Sequence, residues 1–384
     1  MLRSEPVPGK PRLKRYLTED IERLKERKEL RGDPEAASRR SLHWGGPVLD
    51  SAITSIEGSH VYYRGRDAAW LAENSSVEEV ASLLWTGDPD QATNLFSQVR
   101  QTRLRGVAKL LRTLEREKRL GPIERCQMVL PWAGAADPGA YDLRPTAVAL
   151  TGGRILDLMA SVISGLTASD SIDRALQRAW VTRRAPAAKT ISAALILCAD
   201  HELNVSAFAA RCVASAAANP YDAISAGLAA LKGTKHGGLS LRVEALFDEA
   251  RSPRLASEVV ANRLRRGERL PGFGHPFYPD GDPRGAMLIS MARDMGNPTQ
   301  VELIEALVEA VLEMTGEHPT LDFGLAALAK ALRLPAGSAL AIFALGRTMG
   351  WIAHAIEQYQ SGQLIRPRAR YVGEPSQSAP PTLP

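Results

Sequence analysis

The chain has 384 residues, 45% of them hydrophobic and 24% charged, enough to bury more than one core. Aromatic residues make up only 5%, and the abundance of Ala, Leu and Arg favours helix over sheet. Residues 1–40 hold 12 Lys/Arg against 8 Asp/Glu, so this arm carries +4 of the net +5 and the main body lacks the excess that grips nucleic acid.

At the N-terminus, Pro6, Pro8, Gly9 and Pro11 predict an irregular start. A helix is predicted from an N-cap at Thr18, with Ile21, Leu24 and Lys25 on successive turns, to Gly32-Asp33-Pro34. With its basic Arg12-Leu13-Lys14-Arg15-Tyr16, residues 1–40 resemble the second half of a MerR-type winged-helix DNA-binding domain. The two helices that would enter the groove are missing, and a wing alone makes phosphate contacts that read little sequence. A solvated basic arm or a packing element is the competing reading.

Residues 47–66 read as short strands, 51–56 and 60–65, around a turn at Glu57-Gly58. From about residue 76, apolar spacings of three and four predict helices at 77–86, 91–115, 146–166, 171–181, 186–199, 205–231, 239–250, 255–266, 284–294, 300–315, 323–332 and 336–361. The Pro- and Ser-rich stretch 374–384 reads as a disordered tail. No apolar run reaches the length of a membrane span, and the N-terminus is too charged for a secretory signal. Cys126, Cys198 and Cys212 have no metal-type spacing. Buried reduced thiols and a soluble, cytoplasmic protein are expected.

Four segments concentrate chemistry among glycines and prolines: Asp200-His201-Glu202, Lys235-His236-Gly237-Gly238, Pro271-Gly272-Phe273-Gly274-His275 and Pro319-Thr320-Leu321-Asp322-Phe323. Such punctuation places ionisable groups where helices end and backbone comes close to a ligand. Two imidazoles and a carboxylate in one cleft suit carbon-acid chemistry: the carboxylate removes a proton while the imidazoles polarise carbonyl oxygens. Asp322 reads equally as a helix N-cap. Nine residues after His275 comes Arg284, behind a capping Asp282-Pro283, at a junction suited to gripping a carboxylate. Arg347, among the small residues of a buried-looking helix, must be paired or ligand-bound. A zinc site from His201, His236, His275 and Asp322 has no compact His-Cys or His-Glu pattern behind it, so no metal is expected.

Over residues 47–373 these ordered segments, with Gly346-Arg347-Thr348-Met349-Gly350 and Ile365-Arg366-Pro367-Arg368, resemble the citrate synthase family. The resemblance implies a mainly α, two-domain helical fold with a short N-terminal β region. It divides the chain into a basic arm (1–40), a large domain (41–235 with 334–373), a small domain (236–333) and a tail. It implies condensation of acetyl-CoA with oxaloacetate in the tricarboxylic acid cycle, with acetyl-CoA as co-substrate and no tightly bound cofactor. His236 would hydrogen-bond the thioester carbonyl, Asp322 would take the methyl proton, and His275 would protonate the oxaloacetate carbonyl. His201, Arg284 and Arg347 would hold oxaloacetate or citrate oxygens, and Arg366 would reach into the neighbouring subunit of a homodimer. Three positions depart from the family's usual pattern: Ser240 and Thr320 stand where Asn is usual, and Pro279 stands where a Lys or Arg lies near the coenzyme A phosphates. Residues contacting coenzyme A are therefore left unassigned, with Phe277 and Tyr278 open to adenine or acyl contacts or to loop packing. A 2-methylcitrate synthase using propionyl-CoA, and a metabolite sensor that binds DNA through the basic arm, are the alternative functions.

Overall fold

Pro6 and Pro11 lack an amide donor, and each strand of a two-stranded hairpin has an outer edge where that donor is not needed. In the computed structural model, β1 (Ser4–Val7) accordingly pairs antiparallel with β2 (Lys10–Tyr16), with Ser4 opposite Tyr16 and a register shift between Pro6 and Val7. Strands thus replace the irregular start expected there. The structure describes residues 4–7, 10–16, 49–102, 106–115, 117, 119–166, 171–181, 187–369 and 371–374. The helix expected from Thr18 and all but the first residue of the expected tail lie outside them. The chain divides into two compact units, Met1–Asp50 and Ser51–Pro384.

In the second unit, β3 (Thr54–Glu57), β4 (His60–Tyr63) and β5 (Arg66–Asp67) form an antiparallel sheet in the order β3-β4-β5. Alternation along β4 buries Val61 and Tyr63. The Tyr63 hydroxyl lies within hydrogen-bond reach of the Leu197 and Asp200 carbonyl oxygens, and Thr54 Oγ1 donates to Asp200 Oδ2 at 2.6 Å. The sheet therefore braces the turn that carries His201.

The rest is helical: α1 (Ala68–Asn74), α2 (Val77–Thr86), α3 (Ala92–Gln101), α4 (Val107–Glu115), α5 (Pro122–Ala136), α6 (Pro145–Ser164), α7 (Ile172–Trp180) and α8 (Ala188–Leu197) come first. They are followed by α9 (Val205–Ser215), α10 (Pro220–Leu231), α11 (Leu239–Ala250), α12 (Ala256–Arg265), α13 (Pro283–Met295), α14 (Pro298–Thr315), α15 (Leu321–Leu332) and α16 (Ser338–Ser361). The mainly α expectation holds. Two predicted helices are each split. The stretch 205–231 breaks at Ala217, with positive φ, and at the Asn219-Pro220 cap, while 91–115 breaks after Thr102. Helices α1 and α5 were not anticipated: α1 is two turns long, and α5 carries Pro131 in its interior, which reads as a breaker.

Helices α6 and α16 are long and apolar enough to cross a membrane, contrary to the sequence reading. However, the apolar stretch of α16 is 100% buried within the protein and that of α6 72% buried, so both are core helices. Around α16 pack α2, α5, α6, α8, α9, α10, α11 and α15.

Candidate active site

Asp322 sits in the first turn of α15, not ahead of the helix, because α15 begins at Leu321 with Thr320 as its N-cap. Thr320 makes no side-chain cap bond. The Leu321 amide is instead taken by the carboxylate of Asp282, which also caps α13 through the Arg284 amide. Asp322 is half-buried, and Ser240 Oγ donates to its Oδ1 at 2.7 Å. Burial pushes the Asp322 carboxyl up to about 6, against the Ser240 hydrogen bond and the nearby Arg284 and Arg347, with Asp282 adding to the rise.

His236 lies on the turn leading into α11, four residues before Ser240. Its Nε2 is 2.8 Å from Ser206 Oγ, which also donates to Asn204 Oδ1 and accepts from Trp351 Nε1. Burial, helped by Arg347, drives its pKa down to about 3, so the ring is neutral at physiological pH. The Phe343 ring packs edge-on against it, with the Arg347 guanidinium on that same phenyl ring.

His275 is carried by a loop stitched to the start of α15. Gly274 N donates to His318 O, and the Thr320 amide and hydroxyl both donate to Gly272 O. At Gly272 (φ +83°) a Cβ would meet Val243 Cγ2 at 2.7 Å and Phe323 Cβ at 3.0 Å, so the loop can press onto α15 only without one. The Phe277 amide donates to His275 Nδ1 at 3.2 Å, which places the proton of the neutral ring on Nε2. Burial, then Arg284, lowers the His275 pKa.

His201 is buried, edge-on to His275, with Nε2 2.8 Å from the Tyr278 hydroxyl. Burial and the charges of Arg284 and Arg347 hold it well below the usual imidazole range. Arg284 is buried, with Nε and Nη2 donating to Asp282 and its guanidinium near the Tyr278 ring. Its Nη1 is buried with no partner among the described residues, so one donor is left for an anion. Arg347, also buried, gives its Nε to Cys198 O at 2.7 Å rather than to a carboxylate.

The structure therefore brings His201, His236, His275, Arg284, Arg347 and Asp322 into one electrostatically connected cluster. Arg366 stands apart, exposed on the segment after α16 and outside the cluster among the described residues. Also among the described residues, no group of three or more His, Cys, Asp and Glu side chains could hold a metal ion. Sequence reasoning missed Ser206 and Phe343 and left Tyr278 open. The N-cap pattern Asn204-Val205-Ser206, directly after His201, was the one available signal for Ser206. Tyr278 proves to be a buried wall of the cluster, bonded to His201.

Neutral imidazoles, a carboxyl lifted toward neutrality and two buried guanidiniums, one with a spare donor, give this helical enzyme a charged and largely buried site. The chain belongs to the citrate synthase family: the family described as "Citrate synthase, C-terminal domain" matches residues 42–368. It is 32% identical to the citrate synthase of Haloferax volcanii over 356 residues, covering 85% of this chain and 94% of the relative. It is 28% identical to the 2-methylcitrate synthase of Shewanella oneidensis over 343 residues, covering 84% of this chain and 91% of the relative. Among solved structures it is similar to the citrate synthase of Thermoplasma acidophilum in ternary complex with carboxymethyl coenzyme A and oxaloacetate, with TM-score 0.75 and 25% identity over 88% of this chain and 97% of that one.

Proposed function

We propose that this enzyme joins the methyl carbon of acetyl-CoA to the carbonyl carbon of oxaloacetate and releases citrate and coenzyme A. The observation that carries the reading is Asp322: a half-buried carboxyl lifted to about 6, beside neutral imidazoles and buried guanidiniums. Asp322 takes a proton from the thioester methyl, and His236 donates to the enolate oxygen that forms. A single preorganised donor of this kind is worth ~3 kcal/mol. Ser206 supports that role by holding the His236 ring in place through Nε2. The enolate carbon attacks the oxaloacetate carbonyl, whose oxygen receives the His275 Nε2 proton. Arg284, through its spare Nη1, Arg347 and His201 hold the carboxylates. Water then cleaves the citryl thioester and frees the thiol.

The reading extends to closure of a small domain (236–333) over a large one, a cytoplasmic homodimer with Arg366 reaching the partner's site, and service in the tricarboxylic acid cycle. Relatives named 2-methylcitrate synthase support a second reading, propionyl-CoA as the acyl donor. One methylene discriminates by only ~1–3 kcal/mol, so the two donors must be compared directly. Thiol release with oxaloacetate and each acyl-CoA tests both. Faster turnover of acetyl-CoA supports the first, faster turnover of propionyl-CoA the second, and no release with either ends the proposal.

A further inference from the structure

Ser240 stands where the family's usual pattern has Asn, and it is fully buried at the start of α11. Its Oγ donates to Asp322 Oδ1 at 2.7 Å, and its amide donates to Gly237 O within the turn that presents His236. We infer that Ser240 is a positioning residue for the proton-transfer step: its hydroxyl occupies Oδ1 of Asp322, aims Oδ2 at the substrate, and favours the ionised carboxylate in its half-buried setting.

Geometry carries the case. A carboxylate oxygen that accepts a hydroxyl proton along one lone pair fixes the plane of the group, because the side chain can no longer turn about its last torsion without losing the bond. Among the described residues Oδ2 has no donor, so the two oxygens are unequal: one is held and one is available. Ser240 and His236 share one short hydrogen-bonded turn, which fixes the spacing between the Ser240 hydroxyl and the His236 imidazole backbone. A serine arm is one heavy atom shorter than the usual asparagine, and the approach of α11 to α15 is close enough for it to reach.

The surrounding charges make the bond matter. Asp322 faces Arg284 and Asp282 from α13 and its cap and Arg347 from α16, with the Cys198 thiol also nearby. The two guanidiniums favour the ionised carboxylate, while burial and Asp282 oppose it. Ser240 adds to the favourable side. Its removal should therefore raise the Asp322 pKa further.

This inference rests on the reading of Asp322 as base, so its test has a readout apart from turnover. The carboxyl carbon of Asp322 is titrated by NMR in the full chain without substrate, its signal assigned by loss in Asp322→Asn. In parallel, kcat/KM is measured against pH. Ser240→Ala should move the carboxyl titration and the acid limb of the profile upward together. Ser240→Thr, which keeps the hydroxyl, should return both toward the parent. Should the alanine variant fail to fold, Ser240→Val against Ser240→Thr gives the same contrast at nearly constant volume. A carboxyl titration unchanged in the variants lacking the hydroxyl overturns the inference, as does an equal shift in the threonine variant. If the parent releases no thiol from either acyl-CoA, the proposed function fails, while the NMR titration still decides what Ser240 does.

Discussion

Helix α16 and the turns at 270–284 and 318–322 supply the cluster in opposite ways. In α16 the side chains from Ser338 to Gln358 are buried almost without interruption, including Arg347, Thr348 and His354. The turns instead combine positive-φ glycines, a short pairing of Phe273 with Pro319, and half-buried His275 and Asp322. The helix holds charge in a fixed place. The loop before α13 and the first turn of α15 leave His275 and Asp322 only half-buried, open to solvent. Precision on the turn side comes from cross-links, Thr320 to Gly272 and Asp282 to Leu321, rather than from regular structure.

The sharpest way to test this division is Asp322→Asn. With Asp322 as the proposed base, this should cost at least roughly three orders of magnitude in thiol release. The same variant should be more stable. A carboxyl whose folded pKa is raised from the ordinary value to about 6 weakens the fold as pH rises through that range, and above it the penalty is fully present. Asparagine should thus raise the melting temperature at pH 8 by an amount equivalent to about 2–3 kcal/mol and leave it little changed at pH 4. A variant less stable than the parent at pH 8 would break the comparison.

Next in size is Gly272→Ala. It forces a Cβ into Val243 and Phe323 at positive φ, and should cost about 2–3 kcal/mol in denaturant unfolding. If turns place the proton-moving groups, kcat should fall with it. Arg347→Lys keeps the charge on α16 but loses the planar guanidinium. It should raise KM for oxaloacetate by roughly tenfold, about 1.4 kcal/mol, with kcat changed less. A kcat loss as large as that of Asp322→Asn would show that the helix does more than hold charge.

The parent's own pH response probes the same division without a substitution. Activity should rise with pH through about 6 as Asp322 ionises. The histidines His201, His236 and His275 all have lowered pKa values. Their contribution to stability is therefore complete above the ordinary imidazole pKa and is lost as pH falls toward about 3, the value for His236. Urea unfolding measured from pH 8 downward should show the decline begin below about 6.5.

Much of this was legible in the chain. The His-Gly-Gly and Gly-Phe-Gly-His turns announce themselves because glycines mark close backbone approach, and the helices because their apolar faces repeat. Ser206 and Phe343 were not legible: a serine in a helix's first turn and a phenylalanine on an apolar face look the same in any core. Asp322 could not be separated from an N-cap by sequence, since the choice depends on where Leu321 sends its amide. The structure resolves it through Asp282, 39 residues away. The expectation that no apolar run is long enough to span a membrane missed α16. A helix apolar on all sides reflects encirclement by other helices.

Gly346 and Gly350 lie one turn apart on α16, and a methyl group on either would run into the carbonyl of Leu195 or Ala199. The chain from Leu195 to Asp200 thus rides directly on bare helix backbone, and Arg347, between the two glycines, reaches Cys198 O from that ledge. Side-chain volume at these two sites sets how far apart Arg347 and the His201 turn can stand. A library randomised at both positions should return glycine pairs among active clones, and any alanine survivors should carry compensating changes in 195–200.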